Sequence, residues 1–139
     1  MSQPDIIQLD LPASHKYLNV LGACITAVLA RVEGLPNSEA TAYNIQLAVH
    51  EICTNIVEHA YKGRVGRIGV TLTVWQSPRR VSVELVDTGE AFEPANVAEP
   101  DLNHGQVRGY GLFLTQKLMD EVTYQRGIEA NHWQLVKEL

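Results

Sequence analysis

The sequence predicts an α+β fold in two layers, with a mixed or mostly antiparallel sheet carrying helices on one face. Three observations lead there. Segments with alternating and with helical apolar spacing follow one another as strand, helix, helix, two strands, helix, two strands. Strands that succeed each other directly cannot be parallel neighbours without a crossover. The 139 residues, 45% apolar and 19% charged, suit one domain, residues 1–139, with a core that three helices can cover from one side.

Ile6 to Leu11 reads as a short strand that Pro12 ends, and Ser14 caps the helix after it. Tyr17 to Val32 is this first helix, with Leu18, Leu21, Ile25, Val28, Leu29 and Val32 on its apolar face. Gly34, Pro36 and Asn37 break the chain, with Asn37 or Ser38 as the next cap, and a long helix runs from about Glu39 to Ala60. A turn with Gly63 and Gly66 leads to a strand from Arg67 to Trp75 whose Ile68, Val70, Leu72 and Val74 share a face. Gln76 to Arg80 is a five-residue hairpin loop and Val81 to Val86 the return strand.

From Asp87 to Arg108 the periodicity fails for roughly twenty residues, a length that marks a functional loop, here taken as a lid. Leu112 to Met119 is a helix with Leu112, Thr115, Gln116 and Met119 on one side. Glu121 to Arg126 and His132 to Lys137 are the last strands, joined at Gly127.

Composition narrows the function. The net charge of −5 with no basic stretch speaks against direct nucleic-acid binding. No run of ~18 apolar residues could span a membrane, and Met1-Ser2-Gln3-Pro4-Asp5 is no signal peptide. Cys24 and Cys53, without CxxC spacing, read as reduced core thiols of a cytoplasmic protein.

Three motifs are candidates for chemistry, although each taken alone also reads as ordinary structure: a solvent-facing polar row, a strand-ending Asp-x-Gly turn and a hinge before a helix. On the long helix, Glu51, Asn55 and His59 stand at i, i+4 and i+8 and form one slanting polar row, since four residues turn about 40° past a full circle. Buried polar groups need partners, because an unpaired one costs about 1–3 kcal/mol. Glu51 is placed to take a proton from a hydroxyl or to orient water, and the Asn55 carbonyl oxygen suits Mg²⁺, a hard cation that borrows phosphate oxygens. Asp87-Thr88-Gly89-Glu90-Ala91-Phe92 leaves an apolar strand, so Asp87 can accept from an exocyclic amine such as that of adenine. Gly89 lets backbone approach a flat ring. Arg108-Gly109-Tyr110-Gly111-Leu112 sets paired glycines before a helix, where backbone N–H groups can meet phosphate, and Arg108 either reaches a terminal phosphate or is solvated.

Two other readings fail. The second histidine of a zinc-protease H-E-x-x-H starting at His50-Glu51 would be Thr54, and Gly109-Tyr110-Gly111 lacks both the third glycine and the preceding strand of a dinucleotide fingerprint. No P-loop occurs.

Glu51-x-x-x-Asn55-x-x-x-His59-Ala60-Tyr61, Asp87-x-Gly89-x-x-Phe92 and Gly109-x-Gly111-Leu112-x-Leu114 resemble the ATP-binding boxes of the gyrase, heat-shock chaperone and histidine-kinase superfamily. With the small size, the run Leu118-Met119-Asp120-Glu121-Val122 resembles the bacterial anti-sigma-factor serine/threonine kinases of partner-switching systems. The resemblance implies a Bergerat-type sandwich that binds ATP with Mg²⁺. It implies Glu51 as general base, Asn55 as Mg²⁺ ligand, Asp87 and Gly89 at adenine, and Gly109, Gly111 and Leu112 as lid positions at the phosphates. His59 matches a family position without an assigned chemistry.

The implied activity is γ-phosphate transfer to a serine or threonine of a small anti-anti-sigma protein, with a sigma factor as a second partner and a homodimer as the assembly. The alternative is an ATP-gated module that sequesters a regulator without phosphorylating it. The chain departs from the family before the last strand: Ala130-Asn131-His132 stands where a Gly-Thr pair is common, and Asn131 is the residue available to replace the threonine hydroxyl.

Overall fold

Alternating burial along the strands builds the sheet. The computed structural model describes residues 3–92 and 110–139. In chain order the elements are β1 (Asp5–Pro12), α1 (His15–Leu29), α2 (Ser38–Asn55) running into a π-helical turn (Ile56–Ala60), β2 (Arg67–Gln76), β3 (Arg79–Asp87), α3 (Tyr110–Leu118), β4 (Glu121–Arg126) and β5 (Asn131–Glu138). The sheet order is β1-β2-β3-β5-β4, and all four pairings are antiparallel. The choice between a mixed and an antiparallel sheet thus resolves to antiparallel among the described residues.

Ile68, Val70, Leu72 and Val74 of β2 are buried together, beside Val81, Val83 and Leu85 of β3 and Trp133 and Leu135 of β5. Against them pack Leu21, Ile25 and Leu29 of α1 and Ile45, Val49 and Ile52 of α2. Each such side chain contributes about 1.5–3 kcal/mol by leaving water. Cys24 and Cys53 are free, and burial pushes the Cys53 thiol up to about 12. Among the described residues no helix is long and apolar enough to cross a membrane.

Four local readings change. The β2–β3 loop is shorter than five residues, because Gln76 pairs with Arg79 and only Ser77-Pro78 turn. Arg79 and Arg80 stay in the strand, where the Arg80 Nε donates to Glu138 at 2.8 Å and the Arg79 carbonyl accepts from Leu139. Asn37 caps α2 with a left-handed backbone (φ 54°) and no side-chain bond, whereas the Ser14 side chain accepts from the Lys16 N–H at 3.4 Å.

The long helix does not stay α-helical to Ala60. Beyond Asn55 its bonds widen to i→i+5, and the Tyr61 N–H donates to the Ile56 carbonyl at 3.0 Å. Finally, Gln116 is exposed, while Thr115 and Met119 of the same segment are buried. The Thr115 hydroxyl reaches the Ala48 carbonyl of α2 at 3.1 Å and the Gly111 carbonyl at 2.8 Å, and this fixes which side of α3 faces inward. Residues 93–109, which hold most of the expected lid together with Arg108 and Gly109, lie outside the described residues.

Candidate functional site

The end of β3 delivers a carboxylate into the interior. Asp87 is 1% exposed and pairs across the sheet with Asn131, the first residue of β5, which is equally buried. Asp87 Oδ1 accepts from the Gly89 N–H at 2.9 Å and from Asn131 Nδ2 at 2.8 Å. Oδ2 is buried and has no hydrogen-bond partner among the described residues. Burial pushes the Asp87 carboxyl above its ordinary value, while the donors from Asn131 and Gly89, and then the charges of Arg126 and His132, pull it back.

Asn131 is held from every side. Its Nδ2 also donates to the carbonyls of Glu90 at 2.9 Å and Gly89 at 3.2 Å. Its Oδ1 accepts from the Tyr124 hydroxyl and from Arg126 Nη1 at 3.0 Å. Arg126 Nη1 also reaches the Gly89 carbonyl at 2.9 Å, and the Phe92 N–H donates to the Tyr124 hydroxyl at 2.8 Å.

The turn after Asp87 is pressed against the end of the π-helical turn. A Cβ on Gly89 would sit 2.6 Å from the carbonyl carbon and oxygen of Ala60, and the Glu90 N–H donates to that carbonyl at 2.8 Å. Gly89 is therefore required by the Ala60 backbone, a different reason from the ring approach that the sequence suggests. The Tyr61 hydroxyl completes the joint, donating to the Arg67 carbonyl at 2.6 Å and accepting from the Thr88 N–H at 2.9 Å. The Gly89→Ala variant is expected to lose about 1–3 kcal/mol, as overpacking does, in urea denaturation. An unchanged midpoint would show that the turn and Ala60 part freely.

A cavity of about 90 Å³ opens beside Asp87. Asn55, His59, Ala60, Ala91, Phe92 and Trp133 are among its lining residues. Phe92, Tyr124 and Trp133 form an aromatic cluster with ring centroids 4.7–5.6 Å apart. Apolar walls with one buried acceptor suit a flat heterocycle bearing an N–H donor. A larger cavity, about 260 Å³, lies between α1 and α2, and none of the motif residues lines it.

One turn before Asn55 on α2, Glu51 meets α3. A Cβ on Gly111 would lie 2.7 Å from the Glu51 Oε2, so the carboxylate occupies the space left by that glycine. Both Glu51 and Asn55 are half-buried, and His59 is exposed at the cavity rim. Leu112 is partly buried against the core. Gly111 sits in the first turn of α3, where backbone N–H groups lack intrahelical partners and suit an anion. The structure thus brings Asp87 and Asn55 to one cavity and Glu51 and Gly111 into contact, with α2 joining the two pairs. A purine amine fits the orphaned Asp87 oxygen. The neutral amide of Asn55 beside the Glu51 carboxylate fits a Mg²⁺ that keeps waters and phosphate oxygens.

Tyr124, Arg126 and Trp133 do not stand out in the sequence. Two signals could have found them: an arginine and two aromatics on short strands that otherwise alternate, and a buried-length strand opening with an asparagine.

Comparison with known proteins places the fold. The model of the histidine kinase-like ATPase domain matches residues 11–137. The serine-protein kinase RsbW of Bacillus thuringiensis (strain Al Hakam) is 30% identical over 135 residues, covering 88% of this chain and 78% of that protein, and the RsbW of Bacillus anthracis matches to the same extent. The crystal structure of the RsbU and RsbW domains of Rv1364c from Mycobacterium tuberculosis superposes with a TM-score of 0.68 at 19% identity, over 97% of this chain and 32% of that one. This chain thus spans about a third of the mycobacterial one. The histidine kinase domain of the blue-light activated histidine kinase from Erythrobacter litoralis EL346 gives 0.58 at 22% identity, over 89% and 60%.

Proposed function

Because the chain belongs to the histidine kinase-like ATPase domain family and to the family of the serine-protein kinase RsbW, we propose that it is an ATP-dependent serine/threonine kinase and anti-sigma factor of a partner-switching system. Its substrate in this reading is a small anti-anti-sigma protein. The observation that carries the reading is the buried Asp87, with one oxygen unpartnered, lining the same cavity as Asn55.

Each residue then has a task. Asp87 accepts from the exocyclic amine of adenine, and Phe92 and Trp133 give the ring its apolar walls. Gly111, Leu112 and the opening turn of α3 lie at the phosphates, and the sequence motif assigns Gly109 and Arg108, outside the described residues, to the same task. Glu51 takes the proton of the attacking hydroxyl. Asn55 would hold Mg²⁺, which neutralises phosphate charge when bound. Phosphoryl transfer needs mainly positioning and charge neutralisation, so this short set is sufficient. The same reading expects a single domain, a homodimer, a sigma factor as further partner, and a cytoplasmic setting.

Proteins captured from the native cell with Mg²⁺-ATP and with Mg²⁺-ADP test this. The expected result is a small captured protein that gains phosphate on serine or threonine only with ATP. ATP-dependent capture without phosphoprotein would favour the sequestering module, and no nucleotide dependence at all would overturn both.

A further inference from the structure

Asn131, the first residue of β5, is the side chain that holds Asp87. Every neighbour of Asn131 Nδ2 is an acceptor: the Asp87 carboxylate and the carbonyls of Gly89 and Glu90. Both neighbours of its Oδ1 are donors, the Tyr124 hydroxyl and the Arg126 guanidinium. The amide can therefore be oriented in one way only. With the Gly89 N–H, it occupies Asp87 Oδ1 fully, so Oδ2 is the acceptor left over.

Resting on the nucleotide-binding reading above, we infer that Asn131 is the positioning residue that sets the choice of base. By locking Asp87, which lines the cavity, it leaves one carboxylate oxygen without a partner, so that a purine with an exocyclic 6-amine is taken over its 6-oxo counterpart. A 6-oxo group would bring an acceptor against an acceptor, and leaving such buried groups unpaired is what gives a polar site its discrimination. Tyr124 and Arg126 act behind Asn131, holding the oxygen end of the same amide. A threonine there has one hydroxyl and could replace only part of this lock.

The test is calorimetric titration of the whole chain with Mg²⁺-ATP and with Mg²⁺-ITP, which differ at the 6-position. Wild type is expected to prefer ATP by roughly 10- to 100-fold, the worth of one hydrogen bond to a charged group. In Asn131→Ala the preference falls to about threefold or less, through loss of ATP affinity and not through gain or loss of ITP affinity. Asn131→Thr, which keeps one donor, is expected in between, and it carries the comparison if the alanine variant does not fold. In the alanine variant Asp87 also protonates more readily, so its ATP preference falls further as pH is lowered. A preference within twofold of wild type in either folded variant overturns the positioning role. So does wild-type binding of both nucleotides without preference. Wild type that binds neither nucleotide overturns the functional reading itself, and this inference with it.

Discussion

The Glu51→Gln variant is expected to lose phosphoryl transfer by roughly 10²- to 10⁴-fold, the usual worth of a positioned general base, while keeping ATP affinity within about threefold. Glutamine fills the same space against Gly111, where the Oε2 of Glu51 already lies 2.7 Å from the place of a missing Cβ. The fold is therefore spared, and the change is confined to a group that can no longer accept a proton. Single-turnover transfer to the captured partner, beside calorimetry with ATP, separates the two effects. Transfer within tenfold of wild type would remove Glu51 as the base. Gly111→Ala offers an independent approach to the same contact, because the added methyl must displace the carboxylate. It should slow transfer with little effect at the adenine end.

The second large effect is at Asp87, where affinity and stability should move in opposite directions. Asp87→Asn is expected to weaken ATP binding by roughly 10- to 150-fold, since it converts a charged acceptor to an amide at the orphaned position. Without nucleotide the variant should be at least as stable as wild type near neutral pH. The reason lies in the direction of the shift. Burial raises the folded carboxyl above its ordinary 3.8, so the folded state holds its proton to higher pH than the unfolded state. The stability tied to that proton is complete below the unfolded value and is lost as pH rises through the folded one. The asparagine variant has no such slope. Urea midpoints from pH 4 to pH 8 should therefore favour the variant increasingly toward the high end. A variant that loses stability on that side would show that the carboxylate is better compensated than its unpartnered Oδ2 indicates.

The parts legible in the sequence are those where a period repeats long enough to be read. Ile68, Val70, Leu72 and Val74 alternate over a whole strand, and they are buried together. Glu51 and Asn55 recur at helical spacing within an apolar helix, and the helix is there. The π-helical turn escapes this kind of reading, because five residues, Ile56–Ala60, are too few for a wider period to declare itself. Gln116 misleads for a related reason: a nine-residue helix has a broad apolar side, and its inward direction is chosen by the Thr115 bond to Ala48. The Asp87–Asn131 pair depends on the register of β3 with β5. No local pattern specifies that register when the partners stand 44 positions apart. Gly89 is visible as a glycine, but its neighbour Ala60 is not, since that contact also joins distant segments.

The widened coil after Asn55 makes the residue count there a matter of aim. An ordinary helix advances about 100° per residue and closes a turn with fewer residues than this one uses, so excising one amino acid between Ile56 and Ala60 would change both the winding and the direction in which the turn delivers Ala60 and Tyr61. The Ala60 carbonyl would turn away from Glu90, the Tyr61 hydroxyl away from Thr88, and the acidic hairpin end would lose its backstop. Length between Asn55 and Tyr61 is for that reason constrained more tightly than the identity of any exposed side chain within it.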